Sequence, residues 1–282
     1  MSYFITYQVN DHIYQLKDPM GVLTTLVIGK EKALLVDTAY GIGDLKEAIK
    51  NITSLPLIVI NSHGHMDHSC GNYQFEEVYI NELDYELCQR HNNKQKRIEN
   101  LESADNLKLL SDSFDREKYL EYREGNLKLI DFNTIDLGDL TIEIIPLSGH
   151  TIGSIGFLIK EDRLLITSDA ICPWVWMFLD ESTTVPVYLN MLKETIKLPF
   201  DGFLLGHGAG QIMPKDDILK YIKVTEDIDL DKSVKVSFNH FDHLNSYCYS
   251  EYKVHEPGKW GIIFNPDKLK WCAYFMRIIL LF

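Results

Sequence analysis

Apolar residues recur along this chain with two periods, and segments of the two kinds alternate. Runs with period two, or with continuous apolar character, fall at residues 3–9, 11–16, 23–28, 33–36 and 57–60. They return at 127–130, 133–137, 140–145, 154–160, 163–167 and 200–205. Short runs of this kind, rich in β-branched residues and bounded by turn residues, predict strands. Asn10-Asp11, Gly29 to Lys32 and Glu161-Asp162 supply turns, and Gly138-Asp139 is a two-residue hairpin signal. Helical spacing occurs at 44–50, where Leu45, Ala48 and Ile49 share a face behind Asp44 as N-cap. It recurs at 82–95, 104–110, 187–197 (Leu189, Leu192 and Ile196 inward) and 214–224, with Pro214 as an early residue.

Strand, helix and strand in succession predict an α/β fold with right-handed crossovers. The two halves echo each other in element order, without a sequence repeat of fixed period. No linker rich in Pro, Gly or Ser divides the chain, so residues 1–282 read as a single domain. Between 81 and 125 the pattern turns charged and proline-free, which predicts a helical insertion. That insertion either walls or covers one edge of the sheet, or is a solvated helix pair. Residues 230–282 form a C-terminal extension, in which Tyr247, Tyr249 and Tyr252 suit a terminal strand. The apolar tail Ile278 to Phe282 is too short to span a membrane and is expected to complete a core or a subunit contact.

Composition narrows the function classes. An apolar fraction of 45% with 11% aromatics is that of a globular protein. A formal net charge of -13 makes nucleic acid a poor partner. The five cysteines, Cys70, Cys88, Cys172, Cys248 and Cys272, are scattered and show no CxxC, which fits a reducing cytosol. No basic region followed by an apolar run opens the chain, and no stretch of 18 apolar residues exists. A secretory signal and a membrane span are therefore not expected.

The chemistry concentrates in Asn61 to Gly71. His63, His65, Asp67 and His68 crowd into six positions directly after the strand at 57–60. Open α/β sheets place ligand sites at such strand ends. Imidazole nitrogens and carboxylate oxygens are ligands that Zn²⁺ accepts. His63 and His65 can address one ion, Asp67 and His68 a second. Three more candidates follow strands: His150 between Gly149 and Gly153, Asp169 after Ser168, and His207 between Gly206 and Gly208. Each alone is weak; together with the cluster they make a ligand set.

His-x-His-x-Asp-His at 63–68, Gly-His-Thr-x-Gly-Ser at 149–154, Ser-Asp-Ala at 168–170 and Gly-His-Gly at 206–208 resemble the metallo-β-lactamase superfamily. The motifs cover 33–207, and the general pattern covers roughly the first 230 residues. The resemblance implies a four-layer αβ/βα sandwich with two divalent ions at one edge. His63, His65 and His150 would hold the first ion. Asp67, His68 and His207 would hold the second, and Asp169 would bridge them. Asp37 matches the family's early strand-end Asp, which orients the His loop. Zn²⁺ leads as the ion, with iron and manganese as alternatives.

Departures from the pattern carry information. Asp169 stands where some β-lactamases have Cys, which disfavours an antibiotic substrate. His65 stands where flavodiiron proteins have Glu, which disfavours oxygen reduction. Neither the inserted domain nor the basic groove of the nuclease branch is visible, and Cys70 reads as packing. The expected activity is hydrolysis of an ester, thioester or lactone by a hydroxide shared between the ions, with Asp67 as proton acceptor. A phosphodiesterase on the same ions, and a redox or binding protein of the same fold, are the competing expectations. Few Lys or Arg residues flank the motifs, which favours neutral carbonyl substrates. The expected partner is a small-molecule substrate, with self-association left open. The aromatics of Cys172 to Phe178 are candidates for a substrate wall, and His240-Phe241-Asp242-His243 is a weak second metal motif.

Overall fold

The computed structural model describes residues 3–112, 114–121, 126–208, 210–238, 241 and 243–270. His240, Asp242, Cys272 and the tail 278–282 lie outside the described residues.

Seven strands pair in chain order into a first sheet: β1 (Ile5–Gln8), β2 (Ile13–Lys17), β3 (Leu23–Ile28), β4 (Ala33–Val36), β5 (Leu57–Ile60), β6 (Val78–Ile80) and β7 (Leu127–Leu129). The first four run antiparallel, and β4 to β7 run parallel. A second sheet holds β8 (Thr134–Asp136), β9 (Thr141–Pro146), β10 (Ile155–Ile159), β11 (Leu164–Ser168), β13 (Gly202–Leu205) and β14 (Met213–Pro214). The sheets meet face to face. Ile13, Val27, Leu34, Val36 and Ile60 of the first share one buried cluster with Ile142, Phe157, Ile159, Ile166 and Leu204 of the second. Each such side chain contributes about 1.5–3 kcal/mol by leaving water.

Helices cover both outer faces. The crossover helix α1 (Leu45–Lys50) starts where the Asp44 side chain accepts from Glu47 N, and it buries Leu45 and Ile49 on the first sheet. On the second sheet lie α6 (Val185–Thr195) and α7 (Asp217–Glu226). The result is the expected four-layer αβ/βα order. The buried face of α6 is Val185, Val187, Tyr188, Met191, Leu192 and Thr195, so Leu189 and Ile196 sit at its edges instead of its centre. Pro214 falls in β14 instead of in the helix. It pairs with Gly202 on a sheet edge, where proline is tolerated, and α7 begins only at Asp217.

The segment after β6 carries α3 (Glu82–His91), α4 (Lys94–Asn106) and α5 (Arg116–Leu120). One expected helix at 82–95 is therefore two, and of the stretch expected as helix at 104–110 only 104–106 is helical, as the end of α4, with 107–110 non-helical. Asn92 and Asn93 cause the break. The Asn92 amide donates to Ser69 Oγ and to the Cys88 carbonyl, while the Asn93 side chain accepts from Lys96 N to cap α4. Such side chains compete with the helical backbone. The inner face of this segment is not solvated. Arg97 is fully buried and donates to the carbonyls of Asn92, Tyr119 and Cys70.

A third sheet was not foreseen. It orders β12 (Trp174–Met177), β17 (Gly261–Phe264), β16 (Ser246–Tyr249) and β15 (Val234–Val236). Three of its strands come from beyond residue 230, and β17 runs parallel to β12. Tyr247 and Tyr249 lie in β16, and Tyr252 lies past it. Among the described residues no helix is long and apolar enough to cross a membrane.

Candidate metal centre

All seven candidate donors stand at C-terminal strand ends on one rim. His63, His65, Asp67 and His68 follow β5, the latter two on the single-turn helix α2 (Met66–Ser69). His150 follows β9, Asp169 follows β11 and His207 follows β13. They converge in two groups: His63, His65 and His150, then Asp67, His68, Asp169 and His207. In each group the donor atoms lie within 4.8 Å of one another.

In the first group His65 Nδ1 is 3.1 Å from His63 Nε2 and 2.9 Å from His150 Nε2. In the second, Asp169 Oδ2 is 3.3 Å from both His68 Nε2 and His207 Nε2. Asp67 Oδ2 is 3.4 Å from the same two nitrogens. Asp169 Oδ2 also approaches His150 Nε2 at 3.8 Å, which sets it between the groups. Around a tetrahedral ion with bonds of about 2.0–2.1 Å, neighbouring nitrogens stand roughly 3.3 Å apart, a spacing these groups fit.

The outer nitrogens fix where the lone pairs point. His150 Nδ1 faces the Trp176 carbonyl at 2.9 Å and must donate to it. Ser62 Oγ donates to Asp37 Oδ2, so it accepts from His63 Nδ1. His65 Nε2 faces Glu181 Oε1 at 2.7 Å. The inner nitrogens of His63 and His150 are therefore lone pairs, both facing His65 Nδ1. One proton there could satisfy only one of them. Converging acceptors without enough donors are stable around a cation, and a second layer of partners that orients the rings is what metal-binding histidines show. The donor set fits divalent zinc, iron or manganese.

Charge differs among the donors: burial works against a charged His65, but Glu181 raises it above its ordinary value. Burial lowers His63 well below its ordinary value, and lowers His150 to about 4 with help from His65. Desolvation works against a charged His207, whose side chain is 46% exposed, but Asp169 and Asp67 outweigh it and lift it to about 10; Asp169, Asp67 and Asp37 raise the buried His68 well above its ordinary value. Protons thus compete with a metal for the second group. Because Asp169 and Asp67 favour the protonated form of His207, an incoming ion must expel that proton. Affinity at this group is expected to rise with pH between 6 and 8, by about tenfold per pH unit for each proton released. Calorimetric titration with zinc in buffers of different ionisation heat checks this, and heats independent of buffer would contradict it.

Local backbone brings the donors this close. Asp37 (φ 68) and Ser168 (φ 47) are non-glycine residues in the left-handed region at the ends of β4 and β11. Such strain costs about 1–3 kcal/mol at each position and clusters at functional sites. A register shift between Ile166 and Ser168 re-aims the chain at Asp169. Asp37 ties the strand ends together, accepting from Ser62 N, Ser62 Oγ, Ser168 Oγ and His68 Nδ1. Gly206 has no room for a side chain: a Cβ would lie 2.5 Å from Asp169 Oδ1 and 2.8 Å from His68 Cε1. Gly206→Ala is expected to weaken metal binding at the second group by about tenfold or more, and more than at the first. Zinc per chain after dialysis reads this, and two retained ions would refute it.

Sequence reasoning missed three partners. Glu181 holds His65, as above. Asp84 of α3 is fully buried and accepts from Gly64 N, Gly153 N and Thr151 Oγ1, joining the His63 and His150 loops. His91, at the end of α3, stacks on His65 with ring centroids 5.1 Å apart. A carboxylate among many others on a charged segment gives no local signal. Cys70 is fully buried, as a packing residue would be. The Trp176 ring packs among Phe178, Phe238 and Phe241, while its backbone meets His150.

The sequence model of the metallo-β-lactamase superfamily matches residues 18–228, a span that takes in all seven candidate donors. The chain belongs to this superfamily. A metallo-β-lactamase from Pontibacter korlensis superposes with a TM-score of 0.54 at 15% identity, over 80% of this chain and 100% of that one. The sec-alkylsulfatase Pisa1 from Pseudomonas sp. gives 0.57 at 14% identity, over 79% of this chain and 41% of that one. These likenesses establish the metallo-β-lactamase fold. Among curated proteins, the acyl-coenzyme A thioesterase MBLAC2 of Bos taurus is 27% identical over 159 residues, 52% of this chain and 57% of its own length. The match thus spans little more than half of that relative.

Proposed function

We propose that this chain is a two-metal hydrolase that cleaves thioesters of the acyl-coenzyme A type. The observation that carries the reading is the pair of facing donor groups with Asp169 between them. The curated relative named as an acyl-coenzyme A thioesterase narrows the substrate. His63, His65 and His150 are assigned to one ion, Asp67, His68 and His207 to the other, and Asp169 to both. Zinc is the ion we expect. Bound ions of this kind activate water near neutral pH and polarise a carbonyl oxygen.

The chain's own residues do the rest. Ser62, Glu181, the Trp176 carbonyl and Asp37 hold the rings in the orientation that ligation needs. Burial opposes ionisation of Asp67, but His68 and His207 keep its carboxyl well below the usual range. It is therefore a carboxylate at neutral pH, suited to ligate an ion and to orient the attacking water by accepting a hydrogen bond from it. A thiolate is a better leaving group than an alkoxide, so cleavage does not require a dedicated acid. Free thiols at Cys70, Cys88, Cys172 and Cys248 support a reducing, cytosolic setting.

The test is a panel of acyl thioesters, esters, lactones and phosphodiesters, assayed with and without chelator and after zinc is restored. Thioester hydrolysis that chelation abolishes and zinc recovers is expected. Turnover indifferent to chelation, or confined to phosphodiesters, would overturn the reading.

A further inference from the structure

The first metal group is backed by a loop that the C-terminal part of the chain holds in place. After β12 the chain passes through residues 179–184 before entering α6. Glu181 from this loop meets His65 Nε2 at 2.7 Å. Ser182 Oγ donates to the His150 carbonyl at 2.8 Å, and Thr183 N donates to the Gly149 carbonyl at 2.9 Å. The loop therefore touches the outer side of two of the three histidines. Three of its carbonyls, those of Leu179, Asp180 and Ser182, turn toward one point. The Lys268 ammonium fills that point, at 2.5, 3.2 and 2.5 Å. Lys268 sits in the short turn Pro266–Leu269 that follows β17, whose cap is Asn265 accepting from Asp267 N. It lies outside the residues that the superfamily model matches.

We propose that Glu181 and Lys268 are positioning residues of the three-histidine site. Lys268 gathers the carbonyls that flank Glu181, and Glu181 in turn orients His65. This rests on the two-metal reading above. Carbonyl oxygens repel one another at such range, and the ammonium is what lets them converge. With it in place Glu181 has one direction to point, and its carboxylate fixes the His65 ring with Nδ1 inward. A carboxylate on the outer nitrogen also makes an imidazole a stronger ligand. In this arrangement the third sheet is part of the metal centre, because β17 carries the turn that bears Lys268 and its partner β12 leads into the loop.

The experiment is chelator-competition titration of the full chain with zinc, repeated with Co²⁺ to read the ligand field, on wild type, Glu181→Gln, Lys268→Met and the double variant. Wild type is expected to bind two ions; binding none would overturn the two-metal reading itself. Each single variant is expected to lose about tenfold to a hundredfold in one of the two affinities, with the other little changed. Both are expected to shift the same Co²⁺ absorption band. The double variant is expected to match Glu181→Gln within about twofold, because Lys268 acts on the metal only through Glu181. Lys268→Gln, which keeps an amide donor, serves should Lys268→Met not fold, and its expected loss is smaller. A Lys268 variant that melts earlier yet binds both ions like wild type would overturn the proposal, as would losses that multiply in the double variant.

Discussion

Asp169→Ala is expected to lower the proposed thioester turnover by about a thousandfold or more and to leave at most one tightly held ion per chain. Asp169 Oδ2 lies within 4 Å of donors from both groups, His68 and His207 on one side and His150 on the other. Removing it takes negative charge from the point where two cations would stand closest. Several kcal/mol of transition-state stabilisation depend on such ions, which sets the size of the loss. Elemental analysis of the dialysed protein and the rate on an acyl thioester check both halves. Two ions per chain with unimpaired turnover would remove Asp169 from the assignment.

Asp37→Ala is expected to destabilise the metal-free protein by about 3–5 kcal/mol, since it strands several buried donors at once. Asp37 is 1% exposed and accepts bonds from the backbone and hydroxyl of Ser62, from Ser168 and from His68. Alanine would also have to adopt φ 68, a conformation disfavoured for residues with a Cβ. Asp37→Asn keeps the shape but turns an amide toward groups that themselves donate. It is expected to fold and to bind the second ion about ten- to a hundredfold more weakly. Denaturant titration in chelator and zinc titration of the refolded protein separate the two effects. A metal-free Asp37→Ala protein as stable as wild type would contradict the hub role.

The pattern of apolar residues made the strands of an α/β fold legible because its central strands read as unbroken apolar runs, Ala33 to Val36, Leu57 to Ile60 and Leu164 to Ile166, whereas the four-layer order followed from the resemblance of the His and Asp motifs. The seven candidate donors stood out for a related reason. Each follows such a run within a few residues, and glycines that a backbone needs for close approach stand beside His150 and His207. Helix limits were less so. Asn92 and Asn93 break a periodic stretch through hydrogen bonds whose partners, Ser69 among them, are distant in sequence.

What the sequence determines by itself, then, is local: which runs become strands, and which residues of ligating type sit at their ends. Tertiary structure alone decided which distant groups hold those residues in place. Glu181 is 116 positions from His65, and Lys268 is 86 from Ser182. No periodicity links them, because a hydrogen bond between a carboxylate and an imidazole, or an ammonium and a carbonyl, depends on where two sheets bring their ends together. The third sheet shows the same division: the strand character of Tyr247 and Tyr249 can be read in place, whereas the parallel pairing of β17 with β12 exists only once the chain has folded back on itself.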